Sequence, residues 1–242
     1  MIHLFLKEVN GFLDSLIAYM VITVFLTGIG LLMWVFPETN VLDYGYADMS
    51  TLFSLGPYVF MFLIPAITMR MLAEEKKSGT MELLYTRPLT DLQIILGKYF
   101  AGFFLVIFSV IPTLIYYYSI YALGSPVGNI DSAGVIGSYV GLILLGGVFT
   151  SIGILASSLS ENQIVSFILA VFLCFIFFSG FDSFSGLILS GSYSLEVAQL
   201  GIIYHYNAMS RGLIDSRDII YFLGVITVMI LLTHLVMSSR KW

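Results

Sequence analysis

The chain has 242 residues, 59% hydrophobic and 10% charged, with a net charge of −5 and a mean hydropathy of +0.98. Soluble globular domains carry roughly a quarter charged residues, so this composition excludes a soluble protein and identifies an integral membrane protein. No basic face with interleaved aromatics occurs outside one short loop, which excludes nucleic-acid binding.

The first fourteen residues read as an amphipathic lead-in, with Leu4, Phe5, Phe12 and Leu13 toward the interface and Lys7 and Glu8 toward water. A first span follows over Ser15 to Phe36. It is too long for a signal peptide and lacks a small-residue cleavage site, so it stays as an anchor. Trp34 suits the far interface and Pro37 ends the helix. The next loop carries Glu38, Asp43 and Asp48 without a base, as an external loop does. A second span runs over Thr51 to Met71, with bends expected at Pro57 and Pro65.

A polar stretch, Glu74 to Leu89, interrupts the apolar chain. It holds Lys76, Lys77 and Arg87, with Arg70 and Lys98 just outside. Clustered bases in a short loop mark the cytoplasmic side of a membrane. Glu74 and Glu75 fit the first turn of a short helix that Ser78-Gly79 interrupts, and Thr80 to Leu84 fits another turn before Pro88. Leu72, Met81, Leu84 and Leu89 give the stretch an apolar side. It is either a helix that docks on a soluble partner or a solvated loop that only sets topology.

The third span covers Gln93 to Leu123, kinked at Pro112, with Tyr116, Tyr117, Tyr118 and Tyr121 forming an aromatic belt at its outer end. The fourth covers Ala133 to Leu159. Its Gly137-x-x-x-Gly141, Gly146, Gly147 and Gly153 permit close helix approach, within one subunit or at a dimer seam. The fifth run, Ile164 to Gly180, barely crosses a hydrocarbon core of roughly 30 Å at about 1.5 Å per residue. Asp182 interrupts it, and the apolar piece Ser183 to Tyr193 is too short to cross, so a re-entrant hairpin from outside is expected. Leu195 to Met209 reads as a surface helix ended by Gly212, with Arg211 at its negative end. Asp215 or Ser216 caps a sixth span over Ile219 to Met237, with Asp218 in its first turn. Six spans put both termini on one side, and eight of the ten Lys and Arg lie there, which makes that side cytoplasmic.

Catalytic and ion-coupling chemistry is sparse. From Ser15 to Pro37, Tyr99 to Ile130, Ser132 to Ser160 and through the broken fifth run the only Asp, Glu, Lys or Arg is Asp182, and His234 is the only imidazole deep in a span, whereas ion-coupled carriers keep such groups near the midplane. His3, His205 and His234 lie in separate elements, and there is no zinc-binding His-Glu-x-x-His, no Gly-x-Ser-x-Gly elbow and no phosphate loop. Cys174 lies alone in an apolar span. The chain is therefore not expected to be an enzyme or to hold a cofactor or metal. Any ATP must be hydrolysed by another polypeptide.

Two stretches carry a family resemblance. Glu74-Glu75-Lys76-Lys77-Ser78-Gly79-Thr80-Met81-Glu82-Leu83-Leu84, with Pro88-Leu89 and Gly97-Lys98, resembles the coupling-helix region of ABC-2 type transporter permeases. His205-Tyr206, then Ser210 to Asp215, Arg217-Asp218 and Tyr221-Phe222-Leu223, resembles the segment entering their last helix. With Phe5-Leu6-Lys7-Glu8 and Tyr19, the similarity covers almost the whole chain. Within the family it is most similar to permeases associated with gliding motility. Those linked to nitrous-oxide reductase maturation share the motifs.

The resemblance implies one all-α membrane domain of six transmembrane helices, with an N-terminal connecting helix over 1–14, a cytosolic coupling helix over 74–88 and a re-entrant external segment over 182–217. It also implies two ATPase subunits that hold ATP and magnesium, and a second permease copy or homologue. Glu74, Glu75, Lys76, Lys77, Ser78, Gly79, Thr80, Glu82, Leu83, Leu84 and Pro88 would meet the ATPase. Phe177, Phe178, Phe181, Asp182 and Phe184 would form an outer gate. His205, Arg211, Gly212, Asp215, Arg217 and Asp218 would order the external side, by capping and ion pairing alone or by contact with cargo or an accessory protein.

Overall fold

The computed structural model describes residues 1–43, 45–86, 88–187 and 191–239. Within them every regular element is helical. In order these are α1 (Ile2–Leu13), α2 (Leu16–Trp34), α3 (Ser50–Thr68), α4 (Arg70–Lys77), α5 (Met81–Tyr85), α6 (Asp91–Val110), α7 (Leu114–Leu123), α8 (Ser132–Leu159), α9 (Gln163–Phe175), α10 (Phe181–Leu187), α11 (Gly191–Gln199), α12 (Ile202–Ser210) and α13 (Ser216–Ser239). Among the described residues five continuous helical stretches are long and apolar enough to cross a membrane, and α1 with α2, bent by 66°, brings the number to six. Arg87, Arg240 and Lys241, part of the charge bias, and the centre of the expected re-entrant piece at 188–190 lie outside the described residues.

The central element is α8, whose apolar window is 83% buried, against 22% in α13 and 28% in the stretch from Gln163 to Gly186. Asp131 starts it by accepting the Gly134 N–H at 3.1 Å. Its glycines face neighbours within the same chain. A Cβ on Gly137 would strike the Met209 carbonyl, one on Gly146 would come within 2.5 Å of Val106, and one on Gly153 would overlap Thr68. The glycine row therefore serves packing inside one subunit, bringing α3, α6 and α12 against α8.

The second, third, fifth and sixth spans extend two or more residues beyond their expected limits, the sixth over Ser216–Ser239. The second runs on past Met71 to Lys77, with one break at Met69, whose N–H bonds Pro65 O at 2.8 Å. Ser157 of α8 makes the continuation possible. Its hydroxyl oxygen accepts the N–H groups of Leu72 and Ala73, both at 3.0 Å, and its hydroxyl donates to Met69 O at 2.9 Å. A side chain of another helix thus satisfies donors that the first turn of α4 leaves open. Lys76 returns a hydrogen bond to the carbonyl of Ser158 at the end of α8. Glu74 and Glu75 accordingly sit in the later part of a long helix and not in the first turn of a separate coupling helix. The third span starts at Asp91, two residues early, because Thr90 and Gln93 form a capping box. It kinks through a 3-10 turn at Ile111–Thr113, where Pro112 lies.

The fifth run differs most. A π turn over Ile176–Gly180 joins α9 to α10, so the helix passes Asp182 and reaches Gly186. Asp182 does not interrupt it, because the side chain is exposed in the first turn of α10 and needs no buried partner. The piece expected over Ser183 to Tyr193 is divided between α10 and α11, which pack together, with Ser194 Oγ donating to Ser185 O at 3.0 Å. The expected surface helix over Leu195 to Met209 is two helices separated at Leu200-Gly201, where a Cβ on Gly201 would lie 3.1 Å from Phe181 Cβ. The second of them, α12, is no surface helix, since Ile202, Tyr206 and Met209 are buried against α8.

Ser157→Ala removes the shared partner of two buried N–H groups. It is expected to destabilise the fold by about 1–3 kcal/mol, read as a lower thermal unfolding midpoint in detergent. An unchanged midpoint would show that the α4 start needs no tertiary cap.

Candidate functional site

The two ends of the bundle carry different chemistry. At one end the segment linking α4 to α6 forms a projecting loop. Gly79, at φ +70, takes the left-handed conformation that turns the chain out of α4, and α5 follows before Pro88. The helical period of about 100° per residue then sorts the Glu-Glu-Lys-Lys run by direction. Glu74, Lys77, Ser78, Gly79, Thr80, Glu82 and Pro88 are exposed. Glu75 and Lys76 turn inward, and Leu84 is buried with Met81. Leu83 belongs to α5.

Beneath this loop lies a group of four charges. Lys98 Nζ is 2.9 Å from Glu8 Oε1 and 2.8 Å from Glu75 Oε2, with the Lys98 side chain only 1% exposed. The first contact is a hydrogen bond, whereas Glu75 Oε2 makes an ion contact outside hydrogen-bond geometry. Lys7, on the solvent side, lies 3.5 Å from Glu75 Oε1 and 3.8 Å from Glu8 Oε1. Glu8 therefore does not face water as its place in an amphipathic helix suggested: its side chain is 13% exposed and points at α6. Gly97 brings α1 this close, since a Cβ there would come within 3.2 Å of Leu4 Cδ2. Nearby, Arg70 lies 4.0 Å over the Phe12 ring and donates to Ser15 Oγ at 3.2 Å, holding the joint between α1 and α2. A cavity of about 600 Å³ separates α1 from α5, lined by Leu4, Lys7, Glu75, Thr80, Leu84 and Leu89 among others.

The opposite end is held by a smaller polar group. His205 Nδ1 lies 2.7 Å from Asp218 Oδ1 and Nε2 lies 2.9 Å from Gln199 O. Both ring nitrogens face oxygen atoms, Nε2 the Gln199 carbonyl, which can only accept, and Nδ1 the Asp218 carboxylate. The imidazole stacks on Tyr221 with centroids 3.9 Å apart, and Tyr221 donates to Leu200 O at 2.6 Å. These contacts tie α11 and α12 to α13. Tyr206 adds a hydrogen bond to Phe53 O at 2.7 Å, fixing α12 to α3.

Of the six residues expected to form one external cluster, only His205 and Asp218 pair. Asp215 caps α13 by accepting the Arg217 N–H at 2.9 Å, and that backbone bond, helped by the Arg217 charge and the Ser216 hydroxyl, holds its carboxyl below the usual range. Gly212, at φ +79, turns the chain out of α12. The side chains of Arg211 and Arg217 are exposed and join no ion pair among the described residues.

The expected aromatic gate is likewise divided. Phe178 is buried among Tyr58, Phe149 and Tyr206, with ring centroids 5.7, 6.0 and 6.3 Å away. Phe177 and Phe181 are partly buried and 6.2 Å apart, whereas Asp182 and Phe184 point outward. The π turn rotates successive residues away from a common face, so the five share no single surface.

Several helices long and apolar enough to cross a membrane, with a projecting polar loop clamped at one end, define a multi-pass membrane protein. Residues 35–236 match the ABC-2 family transporter proteins, and the chain belongs to that family. No curated protein matches the chain. Family membership implies partnership with an ABC ATPase and makes the chain a transport component that is not itself catalytic.

Asp218→Ala removes the partner of His205 and is expected to cost about 1.5–3 kcal/mol, read by thermal unfolding and by faster proteolysis between α10 and α12. Asp218→Asn should cost less, because its amide can donate to Nδ1 of the Nε2-protonated imidazole. Equal losses in both variants would show that the contact depends on charge and not on the hydrogen bond.

Proposed function

We propose that the chain is the membrane permease subunit of an ATP-binding cassette exporter, whose loop between α4 and α6 receives a cytosolic ATPase. The observation that carries this reading is the division of the Glu74–Pro88 segment. Its outer face presents Glu74, Lys77, Ser78, Thr80, Glu82 and Pro88 to a partner, while Glu75, Lys76 and Leu84 anchor it to the bundle. A loop that only set topology would not need an inner face tied to three helices. ATP and magnesium belong to the partner ATPase, and closure of two such ATPases moves two permease copies, identical or homologous, against each other in the lipid.

In this reading the loop and both termini face the cytoplasm of a bacterial inner membrane, which the bias of Lys and Arg toward that side supports. Within the family, the reading we favour links the transport to gliding motility, directly, through export of a surface component, or with an accessory membrane protein, and rests on the resemblance to the permease GldF. The second reading inside the family is a permease of nitrous-oxide reductase maturation, whose motifs are shared. From another class, a non-transporting anchor for a cytosolic partner uses the same loop. The family match favours the transporter.

Purification of the chain from its native membrane in mild detergent should recover an ATPase bearing a phosphate loop, with ATP hydrolysis in the eluate. Glu74→Lys and Glu82→Lys should each lower that recovery about two- to fivefold, the effect of a rim ion pair, while membrane insertion is unchanged. Undiminished recovery in both variants would remove the outer face from the docking surface. Recovery of partners without any ATPase, after crosslinking, would favour the anchor.

A further inference from the structure

Lys98 joins three elements through one ammonium. Glu75 belongs to α4, on the N-terminal side of the projecting loop, and Lys98 to α6, on its C-terminal side, so their contact closes the loop at its base. Glu8 brings α1 to the same atom. The four formal charges of Lys7, Glu8, Glu75 and Lys98 cancel, but only Lys98 is fully enclosed; the Lys7 side chain is 65% exposed.

Stability alone does not account for this arrangement. Burying an ion pair costs desolvation energy that well-packed apolar side chains would not incur, and its best-attested use is to select one register of packed elements. A single ammonium reaches both carboxylates only when α1, α4 and α6 hold one relative position. Apolar contacts at the same place would tolerate sliding. The cavity between α1 and α5 leaves room for the loop to swing toward α1, so its angle depends on the attachment at its base.

We propose that Lys98 is a positioning residue that fixes the angle of the loop, so that a displacement imposed on the loop moves α1, α4 and α6 as one body. This rests on the docking function proposed for the loop. Ser157 and Lys76 already bind α4 to the end of α8. Lys98 adds the connecting helix and the third span to the same unit, and without it a pushed loop would bend at its base while the spans stayed in place.

The test uses the full chain in lipid nanodiscs with spin labels at Asn10→Cys on α1 and Thr86→Cys at the end of α5, both exposed and outside the docking residues, while the native Cys174 is buried and stays unlabelled. Pulsed electron–electron resonance should give one narrow distance distribution for the otherwise wild-type chain and for Lys98→Arg. Lys98→Gln should give a broadened or shifted distribution without nucleotide. With the co-purified ATPase present, ATP should leave the distance unchanged in the wild-type chain, because α1 and the loop move together, whereas in Lys98→Gln, which still retains the ATPase, ATP should shift it. A narrow, unshifted distribution in Lys98→Gln overturns the proposal. If no ATPase accompanies even the wild-type chain, the docking function fails, while the nucleotide-free distributions still decide the role of Lys98. Should Lys98→Gln fail to fold, Glu8→Leu, which removes the α1 acceptor of Lys98 and leaves Glu75 in place, must produce the broadening, and a sharp distribution there overturns the proposal.

Discussion

Close contact between helix backbones is the constraint on which the rest of this fold depends. Inside a bilayer the lipid tails are as apolar as the helix surfaces, so helices gain nothing by leaving lipid unless they pack more tightly than lipid does. The answer here is α8, whose glycines admit the Met209 carbonyl, Val106 and Thr68 where side chains would otherwise stand. Once α8 is enclosed, the remaining helices have fixed positions around it. α9 and α13 are left with most of their apolar surface outward.

The same solvent makes each break in a helix a matter of hydrogen-bond accounting. At Met69 the open N–H groups are met by Ser157 of α8; at the end of α8 an open carbonyl is met by Lys76 of α4. The two helices complete one another's termini, so neither can shift along the other without exposing a donor or an acceptor. At the far end the hydroxyls of Tyr206 and Tyr221 perform the same task for the carbonyls of Phe53 and Leu200. Breaks that would be soft in water become joints of defined geometry.

Features set by local chemistry were legible in the sequence: the apolar spans, the turn at Gly79, the kink at Pro112, the stop at Gly212 and the cap at Asp215 each depend on residues a few positions apart. The course of the helix through Asp182 was not, because a carboxylate in an apolar run reads as a break unless its direction is known, and here it points outward. The extension of α4 was hidden for a different reason, since its cap comes from a serine 85 residues away. The coupling segment shows both cases at once. Its position could be read from the run of charges, but the separation of Glu74 from Glu75 required the helix phase, and the partners of Glu75 required α1 and α6. One sign was present: a lysine in the apolar start of a span calls for a buried counter-charge, although nothing in the spacing selects Glu8 and Glu75 to supply it.

The distribution of space bears on where cargo would cross. The described cavities lie at the ends: two at the end that holds the loop between α2 and α3, near Trp34 and Tyr206, and two at the basic end, around Lys7 and Glu75. Between them α8 fills the axis. Opening a path through one copy would pull α3 or α6 off the glycines and strand the hydroxyl and ammonium groups that join α4 to α8. Separating apolar outer faces breaks none of these bonds. For the exporter proposed here, the less costly path therefore lies between two copies, along surfaces such as those of α9 and α13, with each chain moving as a rigid body.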